Sequence, residues 1–339
     1  MSIYPENLKP GDEIRIICPS TFKEISSIQK GISFLQESGY KVSLANNYKK
    51  TDKSDLFDST PLEERVDDFN EAFADENVSA VIPASGGYNA NQLLPFVDFQ
   101  SIKDNPKIFC GFSDITVLNN ALYTKTGLVT YSGPMLSTLS NKADSLDFTH
   151  SNFIKAISTY PSFEVDDSSV WFEKTRILDE SFNIELENTG RKVIRAGEAE
   201  GILVGGNLCS LNLLHGTEYM PDLTDKVLFI EDDFIFAEPI TFLKEFERNL
   251  VSLIQQQNFE KVGGLMIGRF EKKSGITLGM IDELMERNLC KFKFPIIANL
   301  DFGHTLPIIT LPIGGLVEIK ASGNKCSIIF KNAQNNYDN

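Results

Sequence analysis

At 339 residues the chain is longer than a single core usually grows, so two domains are expected, each large enough to bury its own core. Hydrophobic residues at 42% and charged residues at 23% are ordinary globular values with no long uninterrupted apolar run, which excludes disordered and membrane-spanning classes. A net charge of −15 without a compact Lys/Arg stripe excludes nucleic acid as a partner and otherwise reads as solubility.

Between Met1 and Pro19, the residues Glu6, Lys9, Asp12, Glu13 and Arg15 interrupt every segment that could serve as an export signal, so a cytoplasmic location is expected. Strand-like Glu13–Ile17 is followed by Ile25, Ile28, Ile32 and Leu35 at helical spacing and by a second strand over 41–45, the rhythm of a parallel sheet covered by helices. Thr60 as N-cap, Pro61 at the first helical position and Glu63 predict a capping box and a further helix. An apolar strand over 79–84 then runs into Ser85-Gly86-Gly87-Tyr88-Asn89. Another over 107–110 runs into Gly111-Phe112-Ser113-Asp114, and the helical pattern Ile115, Leu118, Leu122 closes at Gly127. Two loops thus leave the carboxyl ends of neighbouring strands, where open α/β sheets hold their ligands.

Residues 1–137 read as an N-terminal α/β domain, and 138–200, rich in Ser, Asp, Glu and Asn, as a helix with a long connecting or lid segment. Residues 201–331 read as an α+β domain. Its strands are expected at 227–230, 264–267 and Ile296–Leu300, its helices over 240–256 and 278–288, and antiparallel runs at 308–311, 317–320 and 326–331. The polar tail 332–339 is expected to fray. The five cysteines, Cys18, Cys110, Cys209, Cys290 and Cys326, are odd in number and far apart, which predicts reduced buried thiols, and none has a partner at metal-ligand spacing.

With three histidines, the search for a neutral-pH base is short. His150 and His215 read as structural. His304, in Asp301-Phe302-Gly303-His304-Thr305, comes just after a strand end, where a structural role and a general base both fit. Ser113 sits on a strand–turn–helix junction that resembles a nucleophile elbow without its second glycine. There the backbone N–H of Asp114 and amides of the Gly86-Gly87 loop could stabilise a developing oxyanion. Ser and Asp ahead of a helix are also the commonest N-caps, and spacing leaves both roles open. An orienting carboxylate is sought where the strand Val227-Leu228-Phe229-Ile230 ends in Glu231, Asp232 and Asp233. Alternation sends Glu231 and Asp232 to opposite faces, so one of the two faces a site.

Taken together, Ser85-Gly-Gly-Tyr-Asn89, Gly111-Phe-Ser-Asp-Ile-Thr116, Gly205-Gly-Asn-Leu208, Leu228-Phe-Ile-Glu-Asp232 and Phe302-Gly-His-Thr305 resemble the LD-carboxypeptidase family of serine peptidases, in order along nearly the whole chain. The run Glu218-Tyr-Met-Pro221 and the long segment before Gly201 are similar to its microcin C immunity peptidase branch. The resemblance implies a flavodoxin-like or amidotransferase-like N-terminal domain, a C-terminal mixed-sheet domain and a homodimer without metal or organic cofactor. It also implies a Ser113, His304, Glu231 triad and a small peptide or peptidyl-nucleotide substrate.

Gly86, Tyr88, Asn89 and Trp171 are candidate substrate contacts, and Asn207 is another by its place in Gly-Gly-Asn, where a backbone-turn role fits equally. The branch uses tryptophans on its long loop to stack a nucleobase. This chain has Trp171 alone and Val193 where a second aromatic is expected, with Phe172 or Phe182 as alternative stacking faces. The functions implied are hydrolysis of a C-terminal amide, as in a murein tetrapeptide, or cleavage of an aminoacyl-nucleotide; a two-domain small-ligand binding protein is the non-enzymatic alternative.

Overall fold

The computed structural model describes residues 2–50, 55–141, 146–158, 162–177, 180–234 and 238–331. The chain divides into two compact units. The first is Met1–Tyr160 with Glu218–Met220 and Thr310–Gly314, and the second is Pro161–Thr217, Pro221–Ile309 and Gly315–Asn339.

In the first unit, β1 (Glu13–Ile17), β2 (Lys41–Leu44), β3 (Val78–Pro83) and β4 (Ile108–Phe109) form a parallel sheet in the order β2-β1-β3-β4. Val78, Ala80, Val81 and Ile82 of β3 are all buried, the composition expected of a central parallel strand covered on both faces. The helix Ile25–Glu37 buries Ile28, Ile32 and Leu35 at helical spacing, as the sequence predicts. This strand order belongs to doubly wound sheets that hold ligands at the carboxyl ends of β1 and β3, where successive connections diverge.

One local expectation is corrected. The helix after Pro61 runs Leu62–Ala74 and begins without a side-chain cap. Thr60 is buried and its carbonyl accepts from Arg65 Nε at 3.0 Å, so its peptide is held by that guanidinium instead of forming a capping box. The helix Thr116–Thr126 does close at Gly127, whose φ of 81° suits a left-handed C-cap, and leads to β5 (Thr130–Ser132).

In the second unit, β6 (Phe163–Glu164) is followed by the antiparallel hairpin β7 (Val170–Ile177) and β8 (Glu180–Glu187), then β9 (Lys192–Arg195), β10 (Gly197–Asn207), β11 (Lys226–Glu231), β12 (Gly264–Gly268) and β13 (Ile296–Leu300). After β13 the chain returns to the first unit, where β14 (Leu311–Ile313) pairs antiparallel with β5. It then completes the second unit with β15 (Leu316–Ser322) and β16 (Lys325–Lys331). The resulting mixed sheet has eight strands in the order β6-β16-β15-β10-β11-β12-β13-β9. Its centre, β10 to β13, is parallel, and its flanking pairs are antiparallel. Parallel neighbours require crossovers, which carry in turn the helices Leu208–Asn212, Pro239–Ile254 and Leu278–Leu289. The second of these buries Phe242, Phe246, Leu250 and Leu253.

Three further expectations change. The segment 138–200 contains the helix Asp147–Ser158, but beyond that helix the chain forms a regular hairpin and edge strands, not an irregular connection. Polar residues can alternate on a hairpin with an exposed face, so composition alone hides it. The antiparallel run expected over 308–311 is a strand at Leu311–Ile313, and its partner lies in the first unit, not the second. Among the cysteines, all free, Cys18 and Cys110 are buried but Cys209 and Cys290 are exposed, because they sit on or just beyond helices on the outward side. The tail 332–339 and the side chain of Phe182 lie outside the described residues. No helix among the described residues is long and apolar enough to cross a membrane.

Candidate active site

In the first unit, β3 delivers Ser85 to Asn89 and β4 delivers Gly111 to Ser113. Ser113 has a φ of 62°, the left-handed region that non-glycine residues seldom occupy, and opens a short 3-10 turn ahead of the helix Thr116–Thr126. A Cβ built on Gly86 would lie 3.1 Å from Ser113 Cβ, 3.2 Å from its Oγ and 3.5 Å from the Asp114 amide nitrogen, so the glycine loop packs directly on the serine turn. Gly87, at φ 154°, could carry no side chain, since a Cβ would fall 2.1 Å from Thr21 Oγ1 and 2.5 Å from Ser20 Oγ.

The Asp114 carboxylate, 2% exposed, fastens this arrangement. It accepts from Ser20 Oγ at 2.5 Å and from the Ala90 N–H at 2.8 Å, tying the exits of β1 and β3 to the serine turn. Burial pushes its carboxyl above the usual aspartate value, against the lowering effect of those donors. Arg65 adds a second tie, donating from Nη1 to the carbonyls of Pro19 and Asn89 at 3.2 Å each and from Nη2 to Gln92 Oε1 at 2.6 Å. Asn89 is buried and Tyr88 is 76% exposed.

In the second unit, β11 ends at Glu231, which is 4% exposed, and the turn after β13 carries His304. His304 Nδ1–H donates to Glu231 Oε2 at 2.7 Å. Gly303, at φ 106°, permits the approach, because a Cβ there would stand 2.9 Å from that same oxygen. Burial alone would lower the imidazole pKa, but the negative charge and hydrogen bond of Glu231, with Asp233 and Glu271 behind it, raise it to about 9. With Nδ1 committed to the carboxylate, Nε2 is the nitrogen that exchanges protons when the ring turns neutral. Asp232 is driven up to about 8 by burial and by the neighbouring charges of Glu231 and Asp233. Strand alternation allows either acid to face the histidine; the fold pairs Glu231 with it and turns Asp232 Oδ1 toward Asn207 Nδ2 at 3.3 Å.

Asn207 Oδ1 accepts from the Ser210 N–H at 3.0 Å, capping the short helix Leu208–Asn212. Trp171, half-exposed on β7, has the Arg269 guanidinium 5.4 Å from its ring centroid. It lines a cavity of about 290 Å3 with Glu187, Arg269, Lys272, Thr277 and Asn299. His150 stacks on Phe34 at 3.7 Å, and His215 Nδ1 meets Ser252 Oγ at 3.1 Å. Sequence reasoning missed Arg65, the Asp114 side chain, Arg269 and Asp301. Arg65 had a signal, since it stands four residues before Phe69 and eight before Phe73 on the buried face of its helix. Arg269 and Asp301 had none, being singletons at strand exits. No group of His, Cys, Asp and Glu that could hold a metal occurs among the described residues.

Comparison with known proteins matches the chain in two stretches. Residues 14–133 match the family model described as LD-carboxypeptidase N-terminal domain, and residues 200–319 the one described as LD-carboxypeptidase C-terminal domain. YocD of Bacillus subtilis (strain 168), which carries a provisional carboxypeptidase name, is 43% identical over 322 residues, 94% of this chain and 96% of its own. The microcin C7 self-immunity protein MccF of Escherichia coli is 31% identical over 91% of this chain and 90% of its own. A structure of MccF in complex with glutamyl sulfamoyl guanosine superposes with a TM-score of 0.83 and 27% identity, covering 97% of this chain and 98% of that one. The crystal structure of an MccF-like protein from Bacillus anthracis str. Ames superposes with a TM-score of 0.92 and 42% identity, covering 97% and 99%.

Proposed function

The chain belongs to the LD-carboxypeptidase family, and from that premise we propose that it is a serine carboxypeptidase in which Ser113 is the nucleophile, His304 the general base and Glu231 the group that orients the imidazole. The observation that carries the proposal is the His304 Nδ1–H to Glu231 Oε2 hydrogen bond of 2.7 Å, which fixes the tautomer a Ser–His–acid mechanism needs. The left-handed Ser113 on its strand–turn–helix junction supports the nucleophile assignment.

The Ser113 hydroxyl oxygen attacks the scissile carbonyl carbon while its proton passes to His304 Nε2. The tetrahedral oxyanion is met by the backbone N–H groups of Asp114 and Gly87, and collapse breaks the C–N bond as the imidazolium returns the proton to the leaving amine. Water, deprotonated by the same imidazole, then releases the acyl group and regenerates the serine. The substrate is a small peptide cleaved at its C-terminal amide, of the murein tetrapeptide type.

A second substrate is favoured by two observations, the ligand held by the related MccF structure and the Trp171 face on a cavity flanked by Lys272. An aminoacyl-nucleotide would use that aromatic face for its base. Hydrolysis of a murein tetrapeptide and of an aminoacyl sulfamoyl adenosine, measured side by side on wild type and Ser113→Ala, tests both. Turnover of either, abolished in Ser113→Ala, selects the substrate and supports the mechanism; turnover that survives in Ser113→Ala overturns it. Binding of a ligand with no hydrolysis and no labelling of Ser113 by an active-site serine probe would instead make the chain a binding protein.

A further inference from the structure

Arg269 and Asp301 are 4% and 2% exposed and form a buried ion pair through Nη1 and Oδ1. They leave the ends of β12 and β13, and Arg269 N–H donates to the Leu300 carbonyl at 2.9 Å. The guanidinium also reaches out of the sheet. Its Nη2 donates to Asn188 Oδ1 at 2.9 Å and its Nε to Asn299 Oδ1 at 3.2 Å. Asn188 in turn donates to the Ser168 carbonyl at 2.7 Å, and the Ser168 N–H donates to Asp301 Oδ2 at 2.9 Å. Ser168 and Asn188 are the two sides of the base of the β7–β8 hairpin, joined by the Asn188 N–H to the Ser169 carbonyl at 3.2 Å.

Beyond His304 the same hairpin takes hold again. Phe172 N–H donates to the Leu306 carbonyl at 2.5 Å and Leu306 N–H to the Phe172 carbonyl at 3.0 Å. His304 therefore lies on a short segment gripped three residues before it, at Asp301, and two after it, at Leu306, by one hairpin. A planar guanidinium with donors in a fixed fork is the side chain that can bind an acid and two amide oxygens at once.

We propose that Arg269 and Asp301 are positioning residues that lock the hairpin base and the His304 segment into one body, so that the imidazole keeps its alignment on Glu231 through turnover. The role rests on His304 being the general base. The charged groups facing the imidazole are Glu231, Asp232 and Asp233 from the end of β11 and Glu271 from the segment after β12. The clamp holds the ring's place among them.

The test uses Arg269→Lys, which keeps a cation beside Asp301 but cannot span both asparagines, and Asn188→Ala, which keeps the Arg269–Asp301 pair and removes the Asn188 side chain's bonds to Arg269, Ser168, Asp301 and Gly190. Two readouts are taken: the low-field proton resonance of His304 Nδ1–H in the free protein, and kcat and KM separately. The expected result for each variant is a shifted or broadened resonance, with kcat down by roughly ten- to a hundredfold and KM within about threefold of wild type. If Arg269→Lys does not fold, Asn188→Ala carries the test alone. A folded variant with the native resonance and a wild-type kcat, even with a lowered melting temperature, would reduce the clamp to a scaffold contact and overturn the proposal. The resonance is independent of Ser113, so failure of the serine mechanism, read from an active Ser113→Ala, is distinguishable from failure of the clamp.

Discussion

Ser113 holds a backbone conformation, φ 62°, that costs a non-glycine residue on the order of 1 kcal/mol, and the Asp114 and Gly86 contacts around it over-determine the turn. Ser113→Ala, His304→Ala and Glu231→Gln are each expected to lower kcat by roughly a thousandfold or more with little change in the folded state. Double variants should lose no more than single ones, because a triad acts as a unit. The imidazole must be neutral to take a proton, so kcat/KM should rise with pH through about 9, and Glu231→Gln should move that limb down toward the ordinary 6.5. The stability sign runs the other way: a folded pKa raised from 6.5 to about 9 contributes fully below 6.5 and is lost as pH climbs through 9. Asp232 moves stability in the same direction with pH, but as a penalty that appears instead of a contribution that is lost. Its pKa is raised from 3.8 to about 8, so ionising it opposes folding increasingly between those values. Asp232→Asn should therefore raise the melting temperature at pH 8 and above, and it should cost less activity than Glu231→Gln; the reverse order of activities would reassign the acid of the triad.

The β7–β8 hairpin is the element the sequence hid. Val170-Trp171-Phe172 buries Phe172 and leaves Trp171 half-exposed over Arg269, a pattern that a Ser- and Asp-rich flank disguises as a loop. A cation–aromatic contact at such a site is worth about 1 kcal/mol or less, so Trp171→Ala should change the melting temperature by only about 2–4 °C. If the ring closes on substrate, the same variant weakens binding by roughly tenfold, and the fluorescence of Ser113→Ala, whose only tryptophan is Trp171, changes saturably as substrate is added. Constant fluorescence at saturating substrate, with a drop in melting temperature well beyond that range, would make Trp171 an anchor of the hairpin.

For the whole molecule, the proposed chemistry runs on protein groups alone, and no cluster among the described residues has the ligand set of a metal site. Dialysis against a chelator should leave the hydrolysis rate unchanged, and a loss restored by zinc would replace the serine mechanism with a metallopeptidase. What the sequence determined by itself was everything local or periodic. The strands Glu13–Ile17 and Ile296–Leu300, the amphipathic Ile25–Glu37 and the Gly127 cap arise from alternation, helical spacing and backbone freedom within a few residues. The strand ends that carry Gly86, Ser113, Glu231 and His304 were legible in the same way, and their ordered motifs carried the family. Alternation and spacing left open which acid meets His304, the resemblance pointed to Glu231, and the tertiary structure pairs the two, since alternation distinguishes the faces of β11 but not which face a turn from β13 will approach. Tertiary structure alone assigned Leu311–Ile313 to the first unit and joined Arg269, Asp301, Asn188 and Ser168, residues up to 133 positions apart in the chain. Each is a single polar residue at a strand exit or loop. A side chain with no periodic neighbours carries no local pattern, and its partner is chosen only when the sheet brings distant strand ends together.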